Sequence, residues 1–498
     1  MLSKQVLGTL FVSFFYCVAV TAQSEQNPWV YDASTQVSFA SNRNPFWLNA
    51  NKYGLSSVRA QSAYIRAKIT RQDEFGKWHL DYGADIAGAI DHTSGLIIQQ
   101  LYGEAQYKKV RFAIGSKERP LELKNDELSS GSMTLGINSR PVPQVRVELP
   151  DYWQVTQWLG MKGHVAYGWF TDGKWQENYQ PTGSRYVRKA LYHSKSGYLH
   201  FGNEERFPLS GTLGLEMATQ FGGTIYNLDA THPKVELDHG LKAFWNAFFS
   251  GGNDPTDGVY ANNSGNMLGS WIADISYKFP TWKVRAYYDH FFEDHSGLFM
   301  LGSGGWNADN TKQSRHFTGY KLKDGLWGVE VTLPKNRFVS DIVYEYLYTK
   351  YQSGPLYHDH TAQIPDEVGG KDGYYSHNLY LAWAHWGQVI GNPLITSPIY
   401  NKDRVLQIRN NRLFAHHIGF RGNPTDRLHY RFLLTYSENW GSYFVPFKDK
   451  KYNTSILCEV SYSLPKDWQI TSSFGIDRGN LLDNNVGLQI GLSKRGLF

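Results

Sequence analysis

Two clusters of histidine and carboxylate side chains are the first places in this sequence where chemistry could occur. Tyr357-His358-Asp359-His360 sets an imidazole on each side of one carboxylate, and His290, Glu293, Asp294 and His295 crowd a second short stretch. A metal ion needs three or four donors at fixed geometry. Each fragment supplies only part of such a set and reads as a polar loop, so no metal and no cofactor are expected. A His-Glu-x-x-His pair, a phosphate-cradling glycine loop and a Gly-x-Ser-x-Gly turn are all missing from the sequence, and no catalytic residue is assigned. Other residues suit recognition instead. Flat aromatic faces stack on sugar rings, and arginine or lysine pairs with acidic sugars. Residues 302–316 hold Trp306, Asn307, Asn310, Lys312, Arg315 and His316, and a second basic stretch carries Lys402, Arg404, Arg409 and Arg412. Trp306, Lys312, Arg315, His316 and the four later cations are the candidate glycan contacts. The competing reading makes them solvated loop residues that balance carboxylates or meet lipopolysaccharide phosphates.

The elements that must position these residues read as strands. In residues 486–498, Val486, Leu488, Ile490 and Leu492 share one parity, while Gly487, Gln489, Gly491 and Ser493 fill the other. Alternate side chains of a strand point to opposite faces, so one face is apolar and the other small or polar. The same pattern recurs. Ala63, Ile65, Ala67 and Ile69 alternate with Tyr64, Arg66 and Lys68; Ile342, Tyr344, Tyr346 and Tyr348 alternate with Asp341, Val343, Glu345 and Leu347; Leu428, Tyr430, Phe432 and Leu434 alternate with His429, Arg431 and Leu433. Trp78, Trp282, Tyr348, Tyr436 and Tyr462 stand at the ends of apolar rows, where an amphipathic ring suits a headgroup layer. Lipid forbids an open sheet edge. The fold class expected is therefore all-β, a transmembrane antiparallel β-barrel of about 18 strands (16–18) with a few short accessory helices.

Bulk composition agrees. Among 498 residues, 41% are hydrophobic and 15% aromatic, with 48 glycines, and the mean hydropathy of −0.46 excludes a bundle of membrane helices. The net charge of +5 includes no basic run or arm, so nucleic acid is not a partner. At the N-terminus, Lys4, the apolar run 6–20 and Val20-Thr21-Ala22 predict a signal peptide over 1–22. Residues 23–498 are then one barrel domain with an N-terminal periplasmic segment and extracellular loops, bearing only Cys458 and no disulfide. The terminal Phe498 fits the sorting signal read by barrel-assembly machinery. Residues 23–44 read as a polar segment. Leu241, Phe244, Trp245, Phe248 and Phe249 have helical spacing and predict a loop helix with its aromatic face on the barrel rim; residues 150–159 suggest another helix starting at Pro150.

Residues 115–153 carry Ser130-Gly131-Ser132, then Asn138-Ser139-Arg140-Pro141-Val142-Pro143 leading into a strand at 144–149, then Pro150-Asp151-Tyr152. With FFEDHSG at 291–297, DGLWGVEV at 324–331, GGKDGYYSHNLY at 369–380 and GNPL at 391–394, the chain resembles the Wzi capsule-assembly family. The resemblance spans most of the mature chain. It implies a large barrel of about eighteen strands in a Gram-negative outer membrane, non-enzymatic, retaining or assembling capsular polysaccharide at the cell surface. Implied partners are that polysaccharide, membrane lipid and lipopolysaccharide. Two alternatives stand beside it. Arg285, Asp341 and Glu345 on the inner parity would suit a porin-like channel, and a serine–histidine pair on the barrel wall would suit a hydrolase.

Overall fold

The computed structural model describes residues 27–249, 265–293, 298, 322–350, 352 and 373–497. Eighteen strands form one antiparallel sheet: β1 (Val30–Ala40), β2 (Gln61–Phe75), β3 (Trp78–Ile90), β4 (Leu96–Tyr107), β5 (Val110–Ser116), β6 (Gln144–Thr156), β7 (Leu159–Trp169), β8 (Leu191–Gly202), β9 (Leu209–Phe221), β10 (Asn266–Lys278), β11 (Lys283–Glu293), β12 (Gly325–Thr332), β13 (Asp341–Tyr348), β14 (Leu413–Thr425), β15 (Leu428–Gly441), β16 (Pro446–Leu464), β17 (Trp468–Gly479) and β18 (Asn485–Leu497). The sheet closes where β18 pairs with β1, Val37 opposite Ile490 and Phe39 opposite Leu488, so the eighteen-stranded sheet has no edge strand. Short turns gather at one end, such as Gly76-Lys77, and all the long connections lie at the other. In barrels of this kind the short-turn end faces the periplasm and the long loops face outward.

The outward parity is apolar and bare. Ile65 is 72% exposed, Ile275 54% and Ile490 45%, and Trp78, Trp153 and Trp468 mark the lower rim of the belt. Such a continuous apolar ring suits hydrocarbon, not water. The inward parity carries Arg66, Asp85, Arg285, Asp289, Glu345, Arg431 and Glu459, as the alternation requires. These charges are paired inside: Arg431 with Glu459 at 2.6 Å, Arg421 with Asp341 at 2.9 Å, and Arg285 with Glu330.

Two local expectations are corrected. Residues 30–40 of the supposed polar segment are β1, whose small polar side chains Ser34, Gln36 and Ser38 face the lumen. Residues 150–159 are not helical. β6 runs on to Thr156, and its register with β7 shifts between Leu149 and Trp153. Pro150 sits in that irregular stretch, where its missing N–H interrupts no regular ladder, and Trp153 and Val155 point outward. Three short helices are described: α1 (Phe46–Asn49), α2 (Gly173–Tyr179) and α3 (Leu241–Phe249). The helix expected at 241–249 is present, but it packs through Ala243, Phe244 and Ala247, beside Phe221 and Tyr167, and leaves Trp245 and Phe249 bare.

The lumen is filled by protein. Residues 41–60, 117–143 and 373–412 turn back from the long-loop end and share one core with Trp47, Leu128, Met133, Tyr375 and Trp383 at its centre. Polar groups of the wall bind this plug. Glu345 accepts from Ser129 Oγ at 2.6 Å and from the Ser130 N–H at 2.7 Å. Asp289 accepts from Lys124 Nζ at 2.8 Å, with both side chains fully buried, and from the Met133 N–H at 3.0 Å. Asp477 accepts from the Phe46 N–H, and Trp47 Nε1 donates to Thr435 Oγ1, both at 3.0 Å. A buried carboxylate is tolerable only when so satisfied.

Candidate functional site

Above the plug, at the long-loop end, four loops surround a cleft of about 650 Å³. Residues 41–60 contribute Arg43 and Arg59, the turn after β3 contributes Asp91 and His92, α2 contributes Trp175 and Tyr179, and residues 399–404 contribute Tyr400, Lys402 and Arg404. Trp175 and Tyr179 are one helical turn apart and therefore share a face. Their rings stack with centroids 4.7 Å apart, and Trp386 adds a third ring 5.7 Å from Trp175. Gly387 permits this approach, because a Cβ there would press on the Trp175 ring. The Arg140 guanidinium lies 4.3 Å over Trp386 and donates to Ser94 Oγ at 3.0 Å. Burial lowers its pKa to about 10, with the Asp172 charge opposing the shift.

The cations divide into paired and free. Arg43 and Lys402 both reach Asp483 Oδ2 at 3.1 Å. Burial works to raise the Asp483 carboxyl, but the hydrogen bond and charge of Lys402 and the charge of Arg43 outweigh it and hold the group below the ordinary carboxylate range. Arg59 and Arg404 are exposed and make no ion pair among the described residues. Both are close enough to Tyr179 for their charges to oppose the rise that burial imposes on its hydroxyl. Arg404 holds φ +62°, a left-handed conformation that is uncommon outside glycine, asparagine and aspartate. Burial lowers the pKa of His92, whose Nδ1 lies 3.0 Å from the Ile90 carbonyl. The cleft thus offers flat apolar faces beside two unpaired guanidinium groups, a combination suited to sugar rings that carry acidic or hydroxyl groups.

Of the sequence candidates, Lys402 and Arg404 enter this cleft. Arg409 instead pairs with Asp403. Arg412 donates to the Lys350 carbonyl at 3.2 Å and lies 4.2 Å over Tyr443, elsewhere on the rim. Trp306, Lys312, Arg315 and His316 lie outside the described residues, as do Asp294, His295 and Tyr357 to His360. His290 and Glu293 fall on opposite parities of β11; His290 contacts the Asp324 carbonyl at 2.8 Å, and Glu293 accepts from the Tyr375 N–H at 3.1 Å. Among the described residues no group of three or more such donors could hold a metal ion. Sequence reasoning missed Arg43, Arg59, Trp175 and Tyr179. The four-residue spacing of Trp175 and Tyr179 was the one available signal.

A serine–histidine contact does occur on the inner wall. His164 lies between Ser196 Oγ at 2.7 Å and Ser194 Oγ at 3.0 Å. Both ring nitrogens are thereby used on hydroxyls, and among the described residues no carboxylate orients the imidazole as a general base requires.

The fold is that of an outer-membrane β-barrel with a filled lumen. No family model matches the sequence, and no curated protein matches it. Among solved structures the chain is similar to Wzi of Escherichia coli, an outer-membrane protein involved in group 1 capsule assembly and described as a carbohydrate-binding β-barrel. The TM-score is 0.53 at 13% identity, covering 94% of this chain and 84% of that one. It also matches two Pseudomonas aeruginosa barrels, OccD3 (TM-score 0.45, 8% identity, covering 96% and 93%) and OprD (0.44, 8%, 96% and 99%).

Proposed function

We propose that this protein holds capsular or other surface polysaccharide at the outer face of a Gram-negative outer membrane, by binding rather than catalysis. Residues 1–22 would be removed as a signal peptide and residues 23–498 would form the single barrel domain. The observation that carries the reading is the cleft itself, with Trp175 and Tyr179 stacked beside Arg59 and Arg404, whose charges have no partner among the described residues. It opens on the side of the plug where exported glycan would lie. The carbohydrate binding ascribed to Wzi supports the same conclusion at the level of fold. A filled lumen argues against a steady pore, which fits this reading better than the porin-like one.

The test compares cell-bound with shed polysaccharide in a deletion strain. Synthesis should continue while polysaccharide moves into the medium, and the intact gene should restore retention where a Trp175→Ala, Arg404→Ala double variant does not. An unchanged cell-bound fraction in the deletion strain would remove the proposal.

A further inference from the structure

On three neighbouring strands the lipid-facing belt carries a cluster of polar side chains. On the outward faces of β7, β8 and β9, Tyr167, His193 and Thr219 stand side by side in one rung, with Val165, Lys195 and Met217 in the rung below. Tyr167 stands about eight residues beyond the periplasmic turn. At a rise of ~3.3 Å and a tilt of ~40° that is ~20 Å up the wall, inside the ~25 Å apolar band. A histidine, a lysine and a threonine there would face hydrocarbon, which is costly.

Helix α3 covers this spot. Ala243 and Ala247 are buried on its inner side, and their small side chains let the helix approach the wall closely. The Tyr167 hydroxyl donates to the Phe244 carbonyl at 3.0 Å, Phe244 packs edge-on to Phe221 at 5.2 Å, and Lys195 donates to the Phe248 carbonyl at the end of the helix. His193 becomes fully buried, stacked on Tyr167 at 4.4 Å. The opposite side of the helix presents Leu241, Trp245 and Phe249, at intervals of four residues and 91%, 66% and 57% exposed. That ridge continues the bare apolar surface of Trp169, Val165, Leu199 and Leu213 on the strands beneath.

We infer that α3 is a lipid-docking helix, a tile that replaces hydrocarbon over the polar rungs and presents its Leu241–Trp245–Phe249 ridge to the acyl chains of the outer leaflet. Two features favour lipid over a protein partner. The ridge lies over strands whose own outward residues Trp169, Leu199 and Leu213 belong to the bare belt, and exposed Lys242 beside it can extend toward headgroup phosphates while its stem stays in the apolar layer. The inference requires that the barrel span a bilayer but is independent of the glycan reading.

The test uses the full mature chain folded into vesicles containing lipopolysaccharide, with a nitroxide on a single cysteine. Native Cys458, exposed on the outward face of β16, gives the membrane reference. In a Cys458→Ser background, Trp245→Cys and, separately, Leu241→Cys report on the ridge. Phe444→Cys in the 442–445 loop, 74% exposed, gives the aqueous reference. The ratio of collisional access by oxygen to access by a neutral nickel chelate should match Cys458 at both ridge positions and exceed that at position 444 several-fold. Nickel access equal to that at 444 would place the ridge in water and overturn the inference. Low access by both reagents would mean that protein covers the ridge, a second copy for instance, and would overturn it equally. Should Cys458 itself be open to nickel, the membrane-spanning reading fails, and the inference with it.

Discussion

Glu345 offers the sharpest test of how the lumen is closed. Its carboxylate is completely buried and accepts three hydrogen bonds, from Ser129 Oγ at 2.6 Å, the Ser130 N–H at 2.7 Å and the Tyr287 hydroxyl at 2.5 Å. Glu345→Ala strips all three donors of their acceptor. Tyr287 belongs to the wall and loses its partner whether or not the plug is seated, so only the two plug donors weigh on docking. Leaving a buried donor unsatisfied costs about 1–3 kcal/mol, and water entering the vacated space recovers part of that. Docking of residues 128–134 should therefore weaken by about 2–4 kcal/mol, which shifts the local opening equilibrium by roughly 30-fold to a thousandfold. Amide hydrogen exchange reads this directly, because protection lost in a peptide spanning 128–134 reports local opening. Glu345→Gln, which keeps one acceptor oxygen but no charge, should lose about half as much on a logarithmic scale. Two results would refute the reasoning: protection changed less than about threefold, or an equal loss through β14 to β18, which would mean that the carboxylate supports the barrel and not the plug.

Two further outcomes are expected. If the cleft holds polysaccharide as proposed, Trp175→Ala should weaken that binding by ~0.5–1.5 kcal/mol, about 2- to 12-fold in Kd, and Arg404→Ala should add a loss that fades with salt; calorimetric titration of the purified barrel at two ionic strengths checks both, with the melting temperature unchanged. His377, in the loop before the plug's Tyr380–Trp383 turn, has its pKa lowered by burial and by the Arg185 charge from 6.5 to about 4, and its Nδ1 accepts from the Leu379 N–H at 3.1 Å. Because the folded pKa lies below the unfolded one, the unfolded loop takes up the proton first. Stability is then full above about pH 6.5, falls between pH 6.5 and 4 by up to ~3 kcal/mol, and levels off below. Protease resistance of residues 373–412 across that range should follow this curve, and His377→Gln should flatten it.

The barrel was legible because its physics repeats every two residues. Ile65 against Arg66, Tyr344 against Glu345 and Ile490 against Gln489 each separate lipid from lumen by parity alone, and the structure keeps those faces. The misreadings arose where local spacing imitated another period. Pro150 looks like the first residue of a helix, yet the strand bears it at a register shift between Leu149 and Trp153, where its missing N–H breaks no regular ladder. Within β1, Ser34, Gln36 and Ser38 made the strand look like a polar tail, since a lumen face next to plug contacts such as Ser38 to Asn44 at 3.2 Å needs small polar groups. The plug itself left no periodic signal. Trp47, Tyr375 and Trp383 are buried by a non-repeating backbone whose hydrogen bonds run to distant loops, as Trp383 Nε1 does to the Thr134 carbonyl at 3.0 Å. For the same reason only Lys402 and Arg404 of the cleft were found in advance; Arg43, Arg59 and Trp175 come from segments far from them in the chain.

This chain has to maintain two apolar surfaces, a belt facing hydrocarbon and a core inside the lumen, separated by one thickness of sheet. If both faces of each strand were apolar, a register slip of one residue would cost little and the two surfaces could exchange. The inner carboxylates prevent that. A slip in β11 or β13 would carry Asp289 or Glu345 into the lipid belt, an unfavourable exchange in a bilayer, and would at the same time leave Lys124, Ser130 and Met133 without acceptors. The same groups therefore fix the strand register and seat the plug. The plug in turn supplies the floor on which Tyr400 and Trp386 stand, beside Trp175 and the two unpaired arginines. On this argument a perturbation at Glu345, well below the cleft, should reach the cleft through the plug, whereas an outward substitution such as Ile490→Val should leave it untouched.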